Sequence, residues 1–151
     1  TELGVDVELK SIDASVFFGG DAGSPDTYQH FYADVEMFAN NFDGTDPESF
    51  LAQYKCDKIP SPATQWQGEN IPRFCDPAYD ALSAKLATTA DMTERGTIAK
   101  QLNDMITKAN YATVPLVDRG RLSAASNTLG GVVLNVWDTE LWNAQDWTRL
   151  K

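Results

Sequence analysis

The chain has 151 residues, 42% of them apolar and 23% charged, which suits one globular domain with a single core of ordinary size. Acidic residues outnumber basic ones by 22 to 12, a formal net charge of −10, so phosphate backbones and anionic lipid are disfavoured partners and the charge reads as a solubility device. The one tight basic pair, Arg119 and Arg121, is too small to track a nucleic acid, and no apolar run reaches the roughly 18 residues of a membrane span.

Val5 to Ile12 places Val5, Val7 and Leu9 on one side and Asp6, Glu8 and Lys10 on the other, the alternation of a half-buried strand. The chain opens on this segment rather than on a charged start, apolar stretch and cleavage site, so export has to be argued from other features. Asp13 to Phe18 predicts a short helix stopped by Gly19 and Gly20, and Ser24-Pro25 a brief helical turn through Tyr28 and Phe31. A second strand is expected over Ala33 to Asn41, with Val35 and Met37 on one side. Asp46-Pro47 has the form of a helix start leading into Glu48 to Lys55.

Cys56 to Cys75 bounds a loop carrying Pro60, Pro62, Gly68 and Pro72. Thiols at the two ends of a loose segment suggest a disulfide in an oxidising compartment, two unrelated buried thiols being the alternative. Asp76-Pro77 opens a helix with Tyr79, Leu82 and Leu86 on one stripe. Asp91, with Glu94 in capping-box position, opens another on which Ile98, Leu102, Met105, Ile106 and Ala109 share a face. Thr113 to Val117, interrupted by Pro115, reads as a strand near an edge or a bulge; Arg119 to Ser126 as a short helix or turn; Leu129 to Leu134 as turn plus strand. The tail to Lys151 carries Trp137, Trp142 and Trp147. Alternating strands and helices argue an α/β fold.

Signatures of chemistry are scarce. There is no GxSxG, HExxH, P-loop or GxGxxG pattern, and His30, the only histidine, has no nucleophile beside it in sequence and reads as a solvated or cap-side residue. A zinc site is not expected, and Asp43, Asp46 and Glu48 read as a capping cluster rather than a calcium loop, since the ligand spacing is wrong. No cofactor and no enzymatic activity are expected.

The run Asn70-Ile-Pro-Arg-Phe-Cys-Asp-Pro-Ala-Tyr-Asp-Ala-Leu82, preceded by Trp66-Gln-Gly68, resembles a stretch of the extracellular solute-binding proteins of family 5, the dipeptide, oligopeptide and nickel-type receptors of ABC importers. The resemblance extends in order through Leu3 to Lys10 (the family's "iGv-vel" strand) and Phe42 to Pro47 with Phe50 and Leu51 (its "W-x-x-D-x-x-D-P" segment). It continues through Arg95 to Val114-Pro-Leu116 (its "R…ql…iPl" arrangement). It implies part of the C-terminal lobe of a two-lobed, periplasmic-binding-protein-like II fold of cluster C, over residues 1–136, with a tail, 137–151, that returns toward the first lobe. A long upstream part, holding the rest of this lobe and the first lobe, is implied with it. So are capture of a small solute, an oligopeptide above all, by closure of two lobes, delivery to an ABC permease, and an extracytoplasmic location with or without a lipid anchor.

By the same resemblance Asp43 meets the ligand's amino group. Asn40 stands where relatives often have Trp, a departure that bears on ligand class. Trp66, in a Gly-containing loop at the expected cleft mouth, is a stacking candidate, with core cover as the other use. Arg73 is a candidate partner for a ligand carboxylate, with a salt bridge as the other use. Strands left without their upstream neighbours would invite pairing between copies, a homodimer or domain-swapped form. Competing readings are a sugar or metal-chelate receptor of the same family, a glycoside-acting enzyme using Asp43 and Asp46, and a protein-interaction module.

Overall fold

The structure is a computed structural model that describes residues 2, 4–21, 23–40, 45–117, 123–135 and 138–150. Four helices and a two-stranded ribbon make up its main regular elements, and each helix starts where the sequence supplies a cap. In α1 (Ala14–Phe17) the Asp13 carboxylate accepts from the Ser15 amide at 2.8 Å. For α2 (Glu48–Ala52) Asp46 does the same to Glu48 at 2.9 Å. For α3 (Pro77–Thr88) Asp76 accepts from Ala78 at 2.8 Å, with Pro77 in the first turn, where its missing N–H costs nothing. Asp91 caps α4 (Met92–Asp104) by accepting from Glu94.

Helices α2, α3 and α4 pack together around Leu51, Tyr54, Tyr79, Leu86, Ile98, Leu102 and Ile106, with Phe50, Phe74, Leu82 and Met105 at the margin. The two sequence stripes are therefore core, with one exception. Ala109 is exposed, because α4 runs on into a π turn over Met105–Ala109, whose wider winding turns the last residues off the stripe. Tyr79 is wholly buried, and its hydroxyl donates to the Leu51 carbonyl at 2.7 Å, so the largest core side chain leaves no polar atom orphaned.

The disulfide forms between Cys56 and Cys75. Inside its loop, short 3-10 turns at Cys56–Lys58 and Pro62–Thr64 replace the formless segment expected. Asn70, fully buried, sends its side-chain amide to the carbonyls of Tyr54, Lys55 and Phe74 at 2.7–3.0 Å, tying both mouths of the loop beside the cysteines. Its two N–H groups serve the three acceptors by sharing.

The strand readings come out differently. The ladder among the described residues joins β1 (Leu129–Gly130) to β2 (Thr148–Arg149), antiparallel, so the strand expected over 129–134 shortens to two residues. Residues 5–12, 33–40 and 113–117 belong to no ladder. Most of their apolar side chains stand in solvent: Leu9, Val35, Met37 and Val117 are each at least 80% exposed. Alternation marks a chain able to pair, while pairing itself needs a neighbour that local sequence does not supply. Over 33–40 the alternation survives with its faces reversed, Val35 and Met37 outward and Glu36 and Phe38 partly buried.

Two smaller assemblies complete the fold. Phe17, Phe18, Tyr28 and Phe38 form an aromatic quartet with ring centroids 5.0–6.1 Å apart. The tail folds onto 131–133, where Trp142 Nε1 donates to the Val133 carbonyl and Asn143, itself buried, donates to Gly131 and accepts from Trp147 Nε1. Trp137, Arg119 and Arg121 lie outside the described residues.

Candidate functional site

The disulfide loop holds Trp66 and Arg73 in conformations that ordinary side chains avoid. Gln65, Trp66 and Arg73 have φ of 53°, 60° and 57°, and Phe31, which faces Arg73, has 49°. Left-handed backbone at bulky residues costs of order 1 kcal/mol or more each and persists only where surrounding contacts hold it. Gly68 makes the turn feasible: a Cβ there would sit 2.4 Å from the Lys58 carbonyl oxygen and 2.8 Å from Pro60 N.

Those contacts are directed at one partner, the segment 27–38. Trp66 lies against the His30 ring, centroids 4.1 Å apart. His30 Nδ1 pairs with Thr27 Oγ1 at 2.7 Å. Arg73 donates through Nη2 to the carbonyls of Gln29 (2.7 Å) and His30 (2.9 Å), and through Nη1 to its own loop at Ile71 (2.8 Å). The guanidinium carbon stands 5.6 Å from the Phe31 ring centre. His30, read from the sequence as a solvated or cap-side residue, is buried in this patch. A planar ring that stacks on Trp66 and bonds Thr27 loses little by leaving water.

Of the residues singled out in sequence, Trp66 and Arg73 thus meet on one patch through His30. Asn40 goes elsewhere, donating to Gln53 Oε1 at 2.9 Å, while Gln53 in turn bonds the Phe50 carbonyl at the end of α2. Asp43 lies outside the described residues. Cys56 and Cys75 set the loop's ends.

The patch contains one residue that the sequence did not flag. Glu36 has an oxygen, Oε2, hidden from solvent with no hydrogen-bond partner, and burial raises its carboxyl from 4.5 to about 7 against the opposing pull of Arg73. Only the reversed alternation of 33–40 points to it, and a reversed face cannot be read without knowing what covers it.

Arg95 marks a second junction. With its side chain 17% exposed, it donates Nη1 to the Leu86 and Thr89 carbonyls at the end of α3, both at 2.7 Å, and Nη2 to Asp46 Oδ2 at 2.6 Å. The Glu48 amide and then Arg95 hold the Asp46 carboxyl below its usual range. Asp46 is thereby spent on capping and pairing. A small hollow of about 110 Å³ opens here, lined by Pro47, Leu86, Met92 and Arg95, and an open groove of about 400 Å³ between α2 and α4 is lined by Phe50, Leu51, Ala99, Lys100 and Asn103. The linings of these two hollows include neither Trp66 nor Arg73.

Among the described residues, no group of three or more His, Cys, Asp or Glu side chains could hold a metal ion, and no helix is long and apolar enough to cross a membrane. No protein-family model, curated protein or solved structure matches the chain.

Proposed function

We propose that the chain is part of a solute-capturing lobe, of the kind found in two-lobed receptors for oligopeptides that deliver to ABC permeases outside the cytoplasm, and that it converts nothing. One observation carries the reading: the motif residues that suggested it, distant in sequence, interlock in space. Asp46 of the D-P segment pairs with Arg95 of α4, Asn70 of the W-x-G-x-N loop ties both mouths of the disulfide loop, Tyr79 reaches Leu51, and the Asp80 carboxylate accepts from the Cys56 amide at 3.1 Å. Mutual support among the residues that carry the resemblance is what the reading requires.

Two further features agree with it. The disulfide suits an oxidising compartment. Extended segments with outward Val and Leu side chains suit a lobe whose sheet is completed by chain outside this sequence. In this reading Trp66 and Arg73 border the cleft, Asp43 meets the ligand's amino group, and lobe closure on the solute is what the permease recognises.

The test is a thermal-shift screen of this chain joined to its upstream coding sequence, against peptide mixtures, oligosaccharides and metal chelates. Stabilisation by peptides of at least several degrees supports the reading; stabilisation by sugars or chelates alone moves the ligand class, and turnover of chromogenic glycosides contradicts it.

A further inference from the structure

Residues 27–38 lie as a strap over the disulfide loop, and the manner of attachment is unusual. The two Arg73 bonds to the carbonyls of Gln29 and His30 and the Trp66 stack on His30 fasten one end. Phe38 anchors the other in the aromatic quartet. Between them Glu36 turns an oxygen into the protein where no donor meets it. A carboxylate in that position is penalised far more than a neutral carboxylic acid, because the charged form loses much stronger hydration on burial. The strap also carries stored strain in the left-handed backbone of Phe31, opposite the equally left-handed Arg73, so loosening the attachment lets both relax.

We propose that Glu36 is a proton-operated latch: protonated, it lets the strap lie shut over Trp66 and Arg73; ionised, it drives the strap off and uncovers both. The charged group that bears on Glu36 from the disulfide loop is Arg73, whose attraction for the carboxylate opposes opening; Tyr28, His30 and Tyr32 on the strap and Glu69 on the loop are further titratable groups of the patch, and Asp34 lies exposed on the strap itself. Because the docked carboxyl binds its proton up to about 7 and the free one only up to 4.5, strap docking is fully favoured below 4.5, weakens as pH rises, and has lost this contribution above about 7. The latch stands on this chain alone. Its consequence for ligands, that acid pH hides the stacking and guanidinium groups, rests on the receptor reading above.

The experiment is a pH titration by NMR of the 151-residue chain. It follows the Glu36 side-chain carboxyl, the Trp66 indole N–H (assigned by Trp66→Phe) and the methyl groups of Ile98 and Leu102. Expected is one midpoint near neutrality shared by Glu36 and the Trp66 indole, still methyls, and loss of that indole transition in Glu36→Gln. A Glu36 midpoint in the ordinary carboxyl range overturns the latch, as does an indole transition that persists in Glu36→Gln, which would assign it to His30. Methyl signals that move with the same midpoint overturn it too, since the event would then be global. Failure of any ligand to bind would bear on the receptor reading and leave these midpoints untouched.

Discussion

Arg95 shows how one side chain joins elements that sequence keeps far apart. Its guanidinium bonds two carbonyls at the end of α3 and pairs with the cap of α2, so truncation takes a donor from three acceptors at once. Arg95→Ala should cost about 1–3 kcal/mol in denaturant unfolding, and Arg95→Lys should recover little, because an ammonium cannot span the same fork. Asp46 adds a pH signature. Its carboxyl is held below 3.8, so its contribution is present above 3.8 and is lost as pH falls through the depressed value. Asp46→Asn should therefore destabilise at neutral pH and leave stability in strong acid nearly unchanged. Gly68→Ala should be the most damaging single methyl in the loop, since the added carbon meets backbone rather than a yielding side-chain tip. A melting-temperature loss of several degrees checks this.

Elements were legible where their causes are local. Asp13, Asp46-Pro47, Asp76-Pro77 and Asp91 announced four helix starts, because a cap is a contact between residues two or three apart. Val5 to Ile12 and Ala33 to Asn41 read as strands that have no ladder among the described residues, because a strand is completed by a neighbour from anywhere in the chain or outside it. The patch of Trp66, Arg73 and His30 was half legible: the loop and its two polar or aromatic residues stood out, while His30 and Glu36 depended on the strap's route across it. The loop itself has two fastenings, the disulfide and Asn70. Replacing Cys56 and Cys75 by Ser should cost about 3 kcal/mol in the chain-entropy picture. Paired with Asn70→Ala, the loss should exceed the sum of the two alone, because each fastening holds the mouth closed for the other; equilibrium unfolding of the cycle measures the coupling.

At the scale of the whole molecule, two facts pull in one direction. The three-helix core with its capped ends and disulfide loop is well packed, whereas the extended segments expose Val7, Leu9, Val35, Met37, Leu116 and Val117. A domain seldom leaves so much β-prone apolar chain uncovered unless something is meant to lie on it. Under the proposed lobe reading, joining the upstream part it implies should raise the strand signal in far-ultraviolet circular dichroism beyond what the added residues contribute, and should lower binding of a hydrophobic dye. The chain on its own should show the opposite bias, with copies pairing along the same segments as concentration rises, a tendency that its net charge of −10 opposes at low salt and salt should unmask. The central claim, half of a clamp, is tested most directly by titration calorimetry with an oligopeptide mixture on this chain and on its upstream-extended form. The account predicts tight, submicromolar binding by the extended form and no measurable heat from the chain alone; tight binding by the chain alone would contradict it.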